Sequence, residues 1–545
     1  MRHSLATRSQ SAQSHSFAMS GLSTSPYKNL PIAIAVSLGV TSIWFWLTWR
    51  YGFDLADEGF YWYGAQRVMR GEVPMRDFMS YDIGRYYWAA SWMYVLGDDG
   101  IFGARLSAAI YQAFGTSLGV YVCLLSFQQR GVLRWLVTLL IACTLTVWVW
   151  PYYKVYDHAT SILIVAILVL ILRSTRPATW FAAGVCLGVA AMMGRNHGVY
   201  GAFSVALVVS VLMIKGPSRL DIVKRAACFA LGVIVGFAPT LGMMWGVEGF
   251  AGAFIESILA LFRSGSTNIG LPVIWPWSWS WSESLSKNGY LTTSLQLSKS
   301  MGFLFLVVYP MVGLVVLAYR RFNMAHNAAA VTFATVAAAI PYMHYSFSRA
   351  DITHLTLGIF PALIGILAAA MCMRGLQTAI MALFIFAGSL LTLSTSQPVL
   401  ALHLMRMPLV QAEITGQKIW IDDGEFGRLR FAMQAISALP DGKSQFLALP
   451  NLMGLYAIYR VKSPLWEIYA LPAIEAESEI RQIVTLESNP PNLIILSDHA
   501  LDKKPEFRYS QIRPLVFAWL TSKYQVSGID DPNRNGNDLR TYSIK

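Results

Sequence analysis

Charge is what this sequence has least of. Only 13% of its 545 residues are Asp, Glu, Lys or Arg, about half the share usual in soluble proteins, while 55% are apolar. That balance excludes a string of ordinary water-soluble domains and points to lipid as the solvent. Cysteine is scarce too: Cys123, Cys143, Cys186, Cys228 and Cys372 all fall inside apolar runs, and the C-terminal part has none. A disulfide framework and a CxxC metal site are thereby excluded. No GxGxxG, P-loop or HExxH pattern occurs, so nothing in the sequence calls for a nucleotide, a redox cofactor or a bound metal; a divalent cation has no ligand motif to hold it. Nor is there a solvent-exposed basic block with interleaved aromatics: the net charge of +12 comes mostly from bases at the ends of apolar runs. Nucleic acid is therefore not an expected partner, and membrane lipid is.

What the sequence does have is recurrence of apolar runs near the roughly 20 residues that cross about 30 Å of hydrocarbon. They fall near 30–49, 104–126, 132–150, 158–172, 178–194, 198–214, 226–246, 301–319, 328–346, 355–373 and 376–396, predicting an α-helical polytopic membrane protein of about eleven spans. Residues 1–28 are Ser-rich with Arg2, Arg8 and Lys28 and read as a cytoplasmic tail; the first run lacks a small-residue cleavage site and reads as a retained span. The loops this topology places inside carry Arg130 and Arg134, Arg173 and Arg176, Lys215, Arg219, Lys224 and Arg225, Arg320 and Arg321, and Arg374. Lysine and arginine retained in the cytoplasm fix this orientation.

The loops on the opposite side are 50–103, PYYKVYDHAT, GRNHGVYG, a long loop at 247–300, and SFSRADITH. The first holds Arg50, Arg67, Arg70, Arg76, Arg85 and Arg105, against the charge rule. Phe60, Tyr63, Arg67 and Arg70 recur at helical spacing and Tyr86–Leu96 is a second apolar stretch, so two amphipathic helices lying at the membrane interface are expected. In the long loop Trp275, Trp277, Trp279 and Trp281 alternate, as in an aromatic anchor at the headgroups or a platform for a sugar. Residues 29–397 thus form the membrane domain. Residues 398–545 turn ordinary in composition and alternate helix-like runs (428–439, 451–461, 475–486, 514–523) with extended ones (445–449, 492–497), predicting a small soluble α/β domain on the same side as the polar loops.

Chemistry-bearing residues gather on that side. Asp54, Asp57 and Glu58 crowd the start of the first loop; mutual repulsion and partial desolvation raise at least one carboxyl pKa, which suits a general base. Capping of the following helix by Asp54 or Asp57 is the plainer use. Lys154, Asp157 and His158 form a second cluster, in which the lysine can hold a phosphate as a point charge or merely snorkel. Arg195 with His197, and Arg349 with Asp351 and His354, complete the set; the arginines are candidates for phosphate binding or for ion pairs with acids such as Asp351. Asp351 and His354 share one helix face at i, i+3.

The runs Asp57-Glu58-Gly59-Phe60-Tyr61, Arg70-Gly71-Glu72-Val73-Pro74-Met75-Arg76-Asp77-Phe78, Tyr81-Asp82-Ile83-Gly84-Arg85-Tyr86-Tyr87 and Gly103-Ala104-Arg105-Leu106 resemble those of the C-type (GT-C) polytopic glycosyltransferases, which include protein O-mannosyltransferases, aminoarabinose transferases of lipid A and their RgtA/B/C/D-like bacterial relatives. Over 50–110 the resemblance is strong, in the short outer loops fair, and in the C-terminal part vague. It implies a GT-C-like fold and a polyprenyl-phosphate-linked sugar as donor. It also implies an acidic pair in the first outer loop, matched by Asp57 and Glu58, with the first acid catalytic, and a further acid in the next, matched by Asp157. Ile83-Gly84-Arg85 stands where many members have a Pro-Pro turn, which bears on the acceptor.

The expected activity is transfer of a sugar from an undecaprenyl- or dolichyl-phosphate carrier to an acceptor hydroxyl on a glycan, lipid or protein, with inversion. Asp57 is the expected base, Glu58 or Asp157 positions the acceptor, and Lys154, Arg195 and Arg349 receive the leaving phosphate. Asp54, Asp82, Arg85, His158, His197, Asp351 and His354 are supporting polar residues. A bacterial inner membrane with the catalytic face outside the cytoplasm is the expected setting. A transporter or flippase of a lipid-linked sugar would instead place charges at mid-span within repeats, and a noncatalytic scaffold would need no such cluster.

Overall fold

The structure, a computed structural model, describes residues 29–127, 131–215, 218–264, 268–319, 327–440, 446–471, 473–530 and 539–545. The expected cytoplasmic tail with Arg2, Arg8 and Lys28, the loop residues Arg130, Arg320 and Arg321, and Gln445 lie outside the described residues.

It is a multi-pass integral membrane protein. A helix stands at each apolar run: α1 (Asn29–Thr48), α4 (Ile101–Leu124), α5 (Val132–Val147), α6 (Val155–Arg173), α7 (Pro177–Met193), α8 (Arg195–Lys215), α9 (Arg219–Gly246), α11 (Trp281–Tyr319), α12 (Asn327–Phe347), α13 (Ile352–Met371) and α14 (Leu376–Leu393). Eight of these are long and apolar enough to cross a membrane; α5 and α7 are shorter apolar helices, and α12 is not among the eight. The expected count of eleven is therefore not confirmed.

Local chemistry starts and stops these helices. Pro177 occupies the first turn of α7, and Ser218 caps α9 by accepting the Asp221 N–H. Asp351 caps α13 by accepting the His354 N–H at 2.9 Å. Gly188 of α7 meets Gly236 of α9, Gly184 meets the Phe229 backbone and Gly232 the Phe181 backbone, so that backbone lies on backbone with no room for a Cβ. At the end of the bundle away from the acids, Asn29 donates to the Leu124 carbonyl at 3.0 Å and Arg134 donates to Asn29 at 2.5 Å.

The first outer loop departs from its expected placement. It folds into α2 (Asp57–Met69) and α3 (Ile83–Leu96), but α2 is not an amphipathic helix lying at the interface: every residue from Glu58 to Arg67 is buried. The reason is the C-terminal region, which packs on α2 from outside while α3 and α4 pack on it from within. Only α3 keeps a strongly exposed apolar edge, at Tyr94 and Val95. The long outer loop contributes α10 (Phe250–Ser264), whose Phe250 and Phe254 pack with Val73, Met75 and Ile83 of the first loop.

Four of the six loop arginines that break the charge rule are explained by pairing with acids; Arg50 instead lies over the Trp49 ring at 4.7 Å. Arg67 meets Glu72, Arg76 meets Asp77 at 2.8 Å, Arg85 meets Asp157 at 3.3 Å and Arg105 meets Glu58 at 2.8 Å, so these four bases add little net charge to their side of the bundle.

After α15 (Pro398–Met405) the C-terminal α/β region comprises a hairpin of β1 (Leu409–Ile414) and β2 (Gln417–Asp422), then α16 (Asp423–Ser437), β3 (Phe446–Leu449), α17 (Met453–Tyr459), α18 (Ala476–Ser488), β4 (Leu493–Ser497), α19 (Tyr509–Ile512), α20 (Pro514–Lys523), β5 (Tyr524–Ile529) and β6 (Leu539–Ile544). The main sheet runs β3-β4-β6-β5, with β3 and β4 parallel and β6 antiparallel to both neighbours. Phe-Leu-Ala-Leu and Leu-Ile-Ile-Leu-Ser are buried throughout, as strands covered on both faces must be. The region is bolted to the first loop. Trp420 accepts the Gly52 N–H at 2.7 Å, Leu55 accepts the Gly454 N–H at 2.8 Å, and Arg460 pairs with Asp99 at 2.8 Å. Gly59 of α2 touches Gly454 of α17 so closely that a Cβ on Gly59 would overlap the Gly454 backbone.

Candidate active site

The site is assembled where α2 begins, α5 ends, α6 and α8 begin and α12 ends. Asp54 lies in the turn before α2. Its Oδ1 accepts the N–H groups of Ala56 and Asp57 at 2.8 and 3.2 Å, and its Oδ2 accepts the Tyr153 hydroxyl at 2.9 Å. Asp54 thus closes a turn ahead of α2, whose N-cap is Ala56 with no side-chain cap bond, so neither Asp54 nor Asp57 is the cap. Burial, reinforced by the neighbouring Asp57 charge, pushes the Asp54 carboxyl from 3.8 up to about 7. This is the raised carboxyl that the crowded triad predicts.

Asp57, the first residue of α2, keeps a quarter of its side chain exposed and lies 3.5 Å from Lys154 Nζ. Lys154 also donates to the Tyr81 hydroxyl at 3.1 Å and sits over the Tyr81 ring. Glu58 points the other way and is 2% exposed. Arg105 grips both its oxygens at 2.8 and 2.9 Å and donates two more N–H groups to the carbonyls of Trp49 and Gly52. A guanidinium fork filled in this way ties α2 to α4 and the end of α1.

Behind Tyr81 lies a second, buried cluster. Asp157, 1% exposed, accepts from His197 Nε2 at 3.0 Å and the Tyr345 hydroxyl at 2.9 Å, and both its oxygens lie 3.3–3.4 Å from Arg85. His197 Nδ1 is 2.6 Å from the Tyr342 hydroxyl, and Arg85 donates to the Met193 carbonyl at 3.0 Å. The Arg85 guanidinium and Lys154 lie against the same Tyr81 ring, at 5.0 and 4.7 Å, which makes the two clusters contiguous.

Arg195 and Arg349 are paired with acids. Arg195 Nε meets Asp82 at 2.5 Å and its Nη1 donates to Ser257 at 2.7 Å. Arg349 holds Asp502 of the C-terminal region with two bonds of 2.5 and 2.7 Å and Asp351 with one of 2.6 Å, and these contacts raise its affinity for its proton. His354 Nδ1 meets Asp351 at 2.8 Å, as the i, i+3 spacing predicts. His158 is fully buried, with Nε2 3.2 Å from Thr356. Asp54, Asp57 and Lys154 therefore come together, as do Asp157, Arg85 and His197; Asp82 with Arg195 flanks the second group, while Arg349, Asp351 and His354 form a separate latch to the C-terminal region. In the long loop Trp275 stacks on Trp277 and Trp279 on Trp281, at 5.4 and 4.7 Å.

Tyr153, Tyr342, Tyr345 and Asp502 carry contacts that the sequence did not single out, and Tyr81 and Arg105 stood there only within the resemblance runs, with no role of their own. For Tyr153 the signal was present, since it adjoins Lys154; for Asp502 it was not, since only the chain's return brings it here. Among the described residues no three of His, Cys, Asp and Glu gather as a metal-holding group.

No family model and no curated protein matches the sequence. In architecture the chain is similar to polytopic glycosyltransferases of solved structure. One is ArnT from Cupriavidus metallidurans bound to undecaprenyl phosphate, at 14% identity and TM-score 0.49 over 94% of this chain and 98% of that one. Another is the Archaeoglobus fulgidus oligosaccharyltransferase in its apo form, at 13% identity and TM-score 0.45 over 93% and 73%. A third is AglB from Archaeoglobus fulgidus in complex with an inhibitory peptide and a dolichol-phosphate, at 12% and 0.43 over 94% and 74%. These are likenesses of overall architecture alone.

Proposed function

We propose that the protein moves one sugar from a polyprenyl-phosphate carrier to an acceptor hydroxyl at the outer face of the membrane, with inversion. The observation that carries this reading is the partly exposed pairing of Asp57 with Lys154, a base beside a phosphate-sized point charge at the edge of the bundle. Asp57 takes the proton of the acceptor hydroxyl, whose oxygen bonds to the anomeric carbon as the carbon–oxygen bond to the carrier phosphate breaks. The electron pair leaves on the phosphate, and Lys154 stabilises that anion. A phosphate leaving group needs a cation more than it needs an acid, and no nucleotide enters the reaction.

Glu58 and Asp157, expected beside Asp57 as acids acting on the acceptor, have their oxygens engaged by Arg105 and by Arg85, His197 and Tyr345. In this reading they hold the frame in which Asp57 and Lys154 work. Arg195 and Arg349 contribute to phosphate binding only by exchanging an acidic partner for the phosphate. Residues 29–397 form the transferase domain and 398–545 a region outside the cytoplasm, in a bacterial inner membrane; the acceptor hydroxyl belongs to a glycan, a lipid or a protein.

The test is to supply the purified protein in lipid nanodiscs with polyprenyl-phosphate sugars and follow the lipid by mass spectrometry. Release of free polyprenyl phosphate with a glycosylated acceptor supports transfer. Donor that crosses the bilayer intact marks a flippase, and donor neither cleaved nor moved marks a scaffold.

A further inference from the structure

Tyr81 stands between the two clusters of the site, and its own position is fixed from several directions. Its N–H donates to the Tyr86 hydroxyl at 3.1 Å, and its ring stands edge-on to Phe60 of α2 with the centroids 4.8 Å apart. Gly84 lies so close to the Met192 carbonyl that a Cβ there would overlap it, which seats the start of α3 against the end of α7. From that seat Arg85 reaches the Met193 carbonyl at 3.0 Å and Asp157 at 3.3 Å, and its guanidinium lies 5.0 Å from the centre of the Tyr81 ring.

The Tyr81 hydroxyl in turn holds Lys154, which closes the short turn Tyr152–Lys154 ahead of α6. An ammonium has three donors. One N–H donates to the Tyr81 hydroxyl at 3.1 Å, the Asp57 carboxylate lies 3.5 Å away, and the remaining N–H meets no acceptor among the described residues. The same nitrogen lies 4.7 Å from the centre of the Tyr81 ring and 5.8 Å from that of Tyr153. A lysine head on its four-carbon stem is mobile, and a cation lowers a barrier most when its place is fixed before charge develops. A phenol oxygen fixes the ammonium without cancelling its charge, as a second carboxylate would.

We infer that Tyr81 is a positioning residue for the transfer: its hydroxyl holds the Lys154 ammonium beside Asp57 with one N–H open to the departing phosphate. Arg85 and Asp157 then act on the reaction through the Tyr81 ring. The inference rests on the proposed role of Lys154. A sugar-linked phosphate diester carries one negative charge and the released monoester up to two, so a well-placed cation favours the phosphate as it leaves over the phosphate as it arrives.

The test is a double-mutant cycle in the full-length protein, in nanodiscs, with Tyr81→Phe, Lys154→Met and the double variant. Phenylalanine keeps the ring and removes only the hydroxyl, and methionine makes no new bond to Tyr81. Binding of undecaprenyl phosphate is measured without any acceptor. Tyr81→Phe is expected to raise its Kd about fivefold in the wild-type background and to add nothing in the Lys154→Met background. In the transfer assay the kcat of Tyr81→Phe is expected to fall about tenfold with the donor KM within about twofold of wild type, and again to fall no further when Lys154 is already replaced. A loss of the same size in both backgrounds overturns the inference, because Tyr81 then acts otherwise than through Lys154; so does an unchanged Kd in Tyr81→Phe. If the wild type transfers no sugar, the sugar-transfer reading fails by that result, and the binding cycle still decides the role of Tyr81.

Discussion

Replacing Asp54 by Asn removes a charge that the fold holds at a cost. The carboxyl moves from 3.8 to about 7 on folding, first through burial and then through Asp57. The folded protein thus keeps a proton that the unfolded chain releases near pH 4. Stability contributed by this group is full below that pH, falls as pH rises towards 7, and is lost above it. At about 1.4 kcal/mol per pH unit the full penalty is about 4 kcal/mol, and the partial exposure of the site brings the expected effect down to roughly 2 kcal/mol. Asn retains an oxygen for the Ala56 and Asp57 N–H groups and offers an N–H to the Tyr153 oxygen, so the turn before α2 survives. The assay is thermal unfolding of the detergent-solubilised proteins at pH 4.5, 6 and 8. Asp54→Asn is expected to unfold a few degrees above wild type at pH 8, with the advantage shrinking to about a quarter of that by pH 4.5. A variant less stable at pH 8, or a difference that does not change with pH, refutes the argument.

Arg105→Met strands Glu58 in a buried site and is expected to cost about 3–5 kcal/mol, whereas the double variant with Glu58→Gln recovers most of the loss; comparison of unfolding midpoints in one detergent checks both. Gly59→Ala drives a methyl group into the Gly454 backbone, so the C-terminal region should part from α2, read as new proteolytic cleavage between residues 446 and 471 with the membrane helices intact. Lys154→Gln removes the point charge beside Asp57 and should lower kcat/KM about 10²-fold in the transfer assay, with methylated Lys154 retaining far more activity; equal activity of the Gln variant would remove the lysine from the reaction.

Much of the membrane architecture was legible because lipid imposes one strong rule, an apolar run of fixed length, and α1, α4, α6 and α13 obey it plainly. In the C-terminal part the runs at 428–439, 492–497 and 514–523 correspond to α16, β4 and α20, each carrying its own periodic pattern. The β1–β2 hairpin and the β5–β6 pair were not seen, since their strands set single buried residues such as Ala412, Ile414, Ile419 and Ile421 among exposed or half-buried ones, with no continuous apolar run to mark them. The placement of α2 was misread for a related reason: its Tyr, Trp and Arg residues look interfacial in sequence, and only the docking of α17, hundreds of residues later, turns both faces inward. Within the site, the gathering of acids and bases on one side followed from counting spans. Pairing did not, because which carboxylate meets Arg349, Arg195 or Arg105 depends on contacts such as Asp502 that no local pattern encodes.

The central claim is that Asp57 removes the acceptor proton in a sugar transfer at the outer face. Single-turnover release of polyprenyl phosphate by wild type and Asp57→Asn, each at saturating donor and acceptor, tests it most directly, with donor binding measured in parallel. The account predicts that Asp57→Asn binds donor within a few-fold of wild type and releases carrier phosphate at least 10³-fold more slowly. Release at the wild-type rate would contradict it.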